Sequence, residues 1–231
     1  MKPIYKPAGR AGEYGDLAIN IYTGCPHRCY YCFAPSVLRK DRETFHSDVR
    51  PRTGIVEAVK RQLDREGITG KLVHLCFTCD PFPMGHDCTP TLEIIKLLKE
   101  HGNHIQILTK ADSLKAYGLL DENDWYGITL TGKQEPNAAE QKSRLLTLAF
   151  MRNKGVKTWV SFEPVLNADY VLSCITAHGQ IFDRIKIGKL NYHPSDINWG
   201  DFGRQVEAIC KKLGRDYYIK EDLRREMEKG E

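Results

Sequence analysis

Three cysteines, Cys25, Cys29 and Cys32, fall within one short stretch in the spacing Cys-x3-Cys-x2-Cys. Cysteine thiolate is the usual protein ligand of iron–sulfur clusters, and three thiolates on one tight loop can hold three irons of a four-iron cluster. The fourth iron then lacks a protein ligand and stays open to a small molecule, and open coordination marks reactivity rather than a structural role. A zinc site combining these thiols with His27 is the competing reading, although four ligands packed so closely in sequence make an awkward tetrahedron. The chain has eight cysteines, and the other five are scattered. Cys76-x2-Cys79 with Cys88 invites a second cluster. Strand alternation argues against it, placing His74, Cys76, Thr78 and Asp80 on one face and Cys79 on the other.

The elements that must carry this loop follow a repeated rhythm of short apolar strand and amphipathic helix. Strands are predicted at Leu17–Tyr22, Lys71–Thr78, His104–Thr109, Trp125–Leu130, Val156–Phe162 and Arg184–Gly188, with a late one at Asp216–Ile219. Helical spacing of apolar residues recurs over Ile55–Arg65, from Thr89-Pro90 to Gly102, and over Leu114–Leu120, Ala139–Asn153, Ala168–His178 and Phe202–Leu213. Such alternation predicts a parallel sheet with right-handed crossovers. Six or seven units fall short of a closed eight-fold barrel, so the expected α/β fold is a partial, open (βα)6 barrel. No low-complexity linker divides the chain. One domain over residues 1–231 is expected, with a core at about 17–190, a short N-terminal extension and a C-terminal extension at 191–231.

The cysteine spacing, with Tyr31 just before the third thiol, resembles the signature of the radical S-adenosylmethionine (SAM) superfamily. Within it, the chain is similar to the spore photoproduct lyase-like group, also called DNA repair photolyase-like. That likeness rests on Phe77-Thr78-Cys79-Asp80-Pro81-Phe82, Ile107-Leu108-Thr109-Lys110, Thr129-Leu130-Thr131, Arg144 and Leu145. The chain departs from that group after Asp80-Pro81, where Phe82-Pro83-Met84-Gly85-His86 replaces the usual aromatic-Gln-Pro-x-Glu run. The resemblance implies a 4Fe-4S cluster held by Cys25, Cys29 and Cys32, with SAM chelating the open iron. It implies reductive cleavage of SAM to a 5′-deoxyadenosyl radical that abstracts hydrogen from substrate. It also implies an external electron donor such as flavodoxin or ferredoxin.

In a parallel barrel the functional residues gather at the carboxyl ends of the strands. Thr78 and Asp80 are therefore expected to meet the SAM ammonium, and Lys110 its carboxylate. Thr129 and Thr131 would bond the ribose or carboxylate, and Ser161 and Glu163 the ribose hydroxyls, with Tyr31 also expected to bind the cofactor. Lys189 and Asn191 could reach substrate. Cys76 and Cys88, with Cys174 behind them, are the candidates for returning a hydrogen atom to a product radical.

Net charge is only +4, from 34 basic and 30 acidic residues, and the first 60 residues carry the whole excess. Arg28, Tyr30, Phe33, Arg39, Lys40 and Arg42 resemble a stacking-plus-phosphate surface, although a solvated basic run would read the same. A nucleic acid or nucleotide-derived substrate is the leading expectation. Radical modification of a peptide or small metabolite is the alternative, and a non-catalytic iron–sulfur sensor the third. The absence of long apolar runs excludes a membrane-spanning helix. No apolar segment near the start suits a secretory signal, so the chain is expected in the cytoplasm.

Overall fold

Seven short strands, each built on residues that fit a pleated, buried surface, make one all-parallel sheet in the order β1 to β7. They are β1 (Leu17–Ile19), β2 (Leu72–Leu75), β3 (His104–Thr109), β4 (Trp125–Thr129), β5 (Lys157–Phe162), β6 (Arg184–Ile187) and β7 (Asp216–Ile219). The structure is a computed structural model and describes residues 2–229. Eight helices connect the strands: α1 (Ala34–Val37), α2 (Arg42–Ser47), α3 (Ile55–Glu66), α4 (Thr89–Glu100), α5 (Gln141–Asn153), α6 (Ala168–His178), α7 (Trp199–Lys212) and α8 (Glu221–Glu228). Strand order equal to chain order brings every βα loop to one end, the mouth. The stretch expected as a C-terminal extension supplies α7, β7 and α8, and β7 pairs with β6 as a seventh unit.

Helix ends follow local chemistry. Gly54 and Gly67, both left-handed, bracket α3, and a proline opens α4. Asn167 and Asn198 cap α6 and α7 by accepting the amides of Tyr170 and Asp201. The apolar faces of α3, α4, α5 and α6 cover the sheet.

Two strands stop well short of the predicted ends, three more are one residue shorter than predicted, and one predicted helix is missing. β1 stops at Ile19, because the next residue, Asn20, turns its amide side chain across the sheet and accepts the amides of Phe77 (2.8 Å) and Thr78 (2.9 Å). β2 stops at Leu75 because Cys76 adopts a left-handed φ of 74°, which no strand tolerates. Simple alternation therefore fails beyond Leu75. Cys76 and Cys79 are neighbouring, hydrogen-bonded thiols rather than residues on opposite faces. The Leu114–Leu120 stretch forms only a 3-10 turn at Tyr117–Leu119.

The sheet is open, with β1 and β7 as its edges, and the N-terminal segment straps across the gap. Tyr5 pairs with Ala18 in both directions at 2.9–3.0 Å, and Gln62 of α3 holds both backbone groups of Ile4. Beyond this point, Arg10 ion-pairs with Asp222 of α8 at 3.0 Å. Tyr14 fills the lumen, packed against His74, Phe77 and Trp159 and donating its phenol to Glu163.

Lys186 of β6 points into the same lumen, donating to the Glu13 carbonyl at 2.9 Å with its ammonium 4.2 Å from the Tyr14 ring. Burial, with help from Arg184 and Lys220, pulls it down to about 8 from 10.5. Between those values the folded chain holds fewer protons than the unfolded one, so stability rises with pH across that window. Lys186→Met should abolish this component, about 1.4 kcal/mol per pH unit at its steepest. Urea unfolding of both proteins between pH 7.5 and about 10 checks it, and parallel curves would refute it.

Candidate active site

The cysteine loop leaves β1 and is held by α2. Gly24 is obligatory there, since a Cβ would lie 2.1 Å from the Phe45 carbonyl oxygen. That close approach lets the Cys25 amide donate to the same carbonyl at 3.3 Å, while the His46 ring meets the Cys25 carbonyl at 2.8 Å. The Arg42 guanidinium donates to three loop carbonyls: Cys29, Tyr30 (2.7 Å) and Cys32 (3.3 Å). Lys40 donates to the Thr23 carbonyl and Asn137 to that of Pro26, each at 2.9 Å. Arg28, at a left-handed φ of 50°, is paired with Glu43. The basic residues expected to offer a phosphate surface are thus largely spent on the loop itself. Arg39 remains free, and Tyr30 and Phe33 are about half exposed, at 51% and 54%.

The three sulfurs of Cys25, Cys29 and Cys32 are not all within 4.8 Å of one another. Among the described residues, ligand atoms of three His, Cys, Asp or Glu residues come within 4.8 Å of one another only at His104, Asp121 and Asp124. That group lies at the opposite end of the sheet, where Lys99 already neutralises both carboxylates. The wide spacing argues against a single zinc shared with His27, whose Nδ1 instead lies 3.6 Å from Asp80. Separated sulfurs suit a cluster, whose irons occupy separate corners. Burial pushes all three thiols up, and iron binding must therefore displace their protons. The donor set and its wide spread fit a four-iron cluster with one iron left open.

Around the loop stands a buried polar network. Tyr31 donates to Glu135 at 2.6 Å. The other Glu135 oxygen meets Arg144 at 2.7 Å, and that guanidinium also donates to the carbonyls of Ala139 (2.8 Å) and Thr129 (2.7 Å). Burial raises Glu135, but Lys110 and Arg144 outweigh it and hold the carboxyl below its usual range. Lys110 has its ammonium 5.7 Å from the Tyr31 ring centre and, among the described residues, takes part in no ion pair. Burial alone would lower it, yet Cys29 and Glu135 more than offset that and leave it raised.

The other expected ligands divide into free and engaged groups. The Thr78 hydroxyl is buried with no partner, which leaves it open to a ligand. Asp80, expected to meet an ammonium, accepts from the Thr109 hydroxyl (2.6 Å) and the amides of Phe82 and Lys110 (both 2.8 Å). Thr131 closes its own turn by donating to the Lys133 carbonyl, and Thr129 is buried at the end of β4. Ser161 and Glu163 face Tyr14, and Glu163 also pairs with Lys220 at 2.7 Å. Lys189 is held by Glu226, and Asn191 lies against Asp222. Cys76 is buried beside Cys79. Cys88 is buried at the head of α4, its thiol toward the His86 carbonyl, and Cys174 is buried within α6. Glu135 and Asn20 were not singled out as functional from the sequence, and Arg42 was read as a phosphate contact rather than a brace of the loop; isolated polar residues in loops carry no periodicity to find them by.

Solved structures with this fold include a spore photoproduct lyase variant. It matches with a TM-score of 0.69 at 11% identity, covering 93% of this chain and 78% of that one. Spore photoproduct lyase complexed with dinucleoside spore photoproduct matches at 0.63 and 11%, over the same shares. Streptococcus suis SuiB bound to S-adenosylmethionine gives 0.64 at 11% identity, covering 88% of this chain and half of that one. No curated protein matches the sequence. The Radical SAM superfamily model matches residues 19–162, a span holding the cysteine loop, Thr78, Lys110, Glu135 and Arg144. The chain belongs to the radical SAM superfamily, whose enzymes use a 4Fe-4S cluster and S-adenosylmethionine.

Proposed function

We propose that Cys25, Cys29 and Cys32 hold the cluster, and that the enzyme abstracts a hydrogen atom from an organic substrate bound at the mouth. The observation that carries this reading is one braced loop presenting three thiols beside a half-buried lysine that, among the described residues, has no ion-pair partner. When bound, the reduced cluster supplies an electron that cleaves S-adenosylmethionine to methionine and a 5′-deoxyadenosyl radical. The electron comes from outside the chain, from a donor of the flavodoxin or ferredoxin class.

The chain's own groups bind and orient. Lys110, near Cys29 and without an ion-pair partner among the described residues, takes the SAM carboxylate. The unpartnered Thr78 hydroxyl bonds the same ligand. Asp80 acts as a positioning residue, fixing the Lys110 amide and Thr109. Tyr31 walls the site and is locked by Glu135 and Arg144. Thr129, Thr131, Ser161 and Glu163 shape the wall, with Ser161 and Glu163 set by Tyr14 and Lys220. Spore photoproduct lyase is crystallised with a dinucleoside photoproduct and SuiB with a precursor peptide. These two substrate classes correspond to the leading reading and its first rival.

Cys29→Ala protein, reconstituted anaerobically, should lose the visible iron–sulfur absorption and form no 5′-deoxyadenosine above background. SAM cleavage surviving in that variant would end the assignment. Arg42→Met touches no ligand but frees three loop carbonyls. Loss of such a supporting contact typically costs about tenfold or more in metal affinity, so iron should be lost to a chelator correspondingly faster than from wild type. Equal iron retention in the two proteins would show that the brace does not position the thiols.

A further inference from the structure

The mouth carries a cleft of about 620 Å³, enclosed by the loops after β5 and β6 and edged by Tyr30 of the cysteine loop and by Lys133. Its floor is apolar, with Val165, Leu190 and Phe202 almost wholly buried. Its charge is acidic: Asp169, Asp196 and Asp201 face a single cation, Lys133. Asp201 is satisfied by Arg204 and Asn198, each at 2.6 Å. Asp169 and Asp196 are exposed and, among the described residues, have no ion-pair partner. The Tyr30 ring packs edge-on against His193 at 5.3 Å, so the cleft runs up to the residue next to Tyr31. Of the cations on the flanking elements, Lys189 is held by Glu226, Lys220 by Glu163 and Arg28 by Glu43, while Lys40 and Arg42 are turned to cysteine-loop carbonyls and do not line the cleft.

We propose that this cleft binds a polypeptide segment bearing lysine or arginine, and that the substrate is therefore a cationic peptide or protein. The inference rests on the radical SAM reading of the mouth and names its substrate class. Two free carboxylates above an apolar floor suit the long aliphatic stem and charged head of a lysine or arginine side chain. The same carboxylates repel a phosphate backbone, which needs cations along its path. Free carboxylates at a rim steer and select more than they add affinity, so the contact should be salt-dependent.

The test is fluorescence anisotropy of the full-length, cluster-loaded protein with three labelled probes of equal length. These are a peptide alternating lysine with leucine, the same peptide with glutamate in place of lysine, and a single-stranded oligonucleotide. The lysine peptide should bind about tenfold tighter than either anionic probe, and added salt should erase most of the difference. The double substitution Asp169→Asn with Asp196→Asn should weaken lysine-peptide binding up to about tenfold. Both positions are exposed and the change is isosteric, and a thermal melt verifies that the variant is folded. Tighter oligonucleotide binding, or a double variant that holds the lysine peptide unchanged, overturns the proposal. Formation of 5′-deoxyadenosine by the same wild-type preparation is read in parallel. Its presence without peptide binding sinks this inference alone, and its absence sinks the reading beneath it.

Discussion

A guanidinium with no solvent exposure fixes the mouth of this fold. Arg144 is fully buried, and a buried charge persists only when paired and hydrogen-bonded. It is met on every side: by the Glu135 carboxylate, the Thr129 carbonyl at the end of β4 and the Ala139 carbonyl before α5. The β4–α5 loop therefore cannot relax outward without leaving that charge bare, which typically costs several kcal/mol. Through Tyr31, the same network reaches the cysteine loop. One ion pair thus couples a strand end, a helix start and the thiol-bearing loop, elements distant in sequence. Lys110 stands beside this network, so the free positive charge at the site is set in a frame whose other charges are already balanced.

A second constraint governs the cysteine loop itself. Its carbonyls point away from the sheet and find no strand partners, so side chains must satisfy them. Arg42, Lys40, Asn137 and His46 do so from three separate segments. This changes the meaning of the charge excess in the first 60 residues. Of the cations counted from sequence as an electrostatic surface, Lys40 and Arg42 donate to loop carbonyls and Arg28 is paired with Glu43. Charge composition reports on partners only after the engaged residues are removed.

What was legible in the sequence was periodic or clustered. The strand–helix alternation gave the parallel sheet, and β3 and β7 begin and end where the pattern puts them. The Cys-x3-Cys-x2-Cys spacing located the loop. What escaped depended on single backbone conformations or on contacts between distant residues. The left-handed Cys76 ends β2 early and turns two thiols toward each other, and no hydrophobic pattern records a positive φ. Asp80 looked like a ligand by its place after a strand; only the fold shows Thr109, Phe82 and Lys110 filling its oxygens. Tyr14, ahead of the first strand, gave no signal that it would cross to Glu163 on the far side of the sheet.

That crossing decides how substrate reaches the reacting centre. An open seven-stranded sheet leaves a lateral gap between β1 and β7 through which water could enter. Here the gap is bridged by the Arg10–Asp222 pair, and the lumen is filled by Tyr14, His74, Trp159 and Lys186. A closed flank protects a reactive site from water and from side reactions. It also leaves the carboxyl ends of the strands as the way in, where the loops after β5 and β6 lie beside Tyr30. The strap therefore leaves the loops after β5 and β6, rather than the lumen, lining the open end of the sheet.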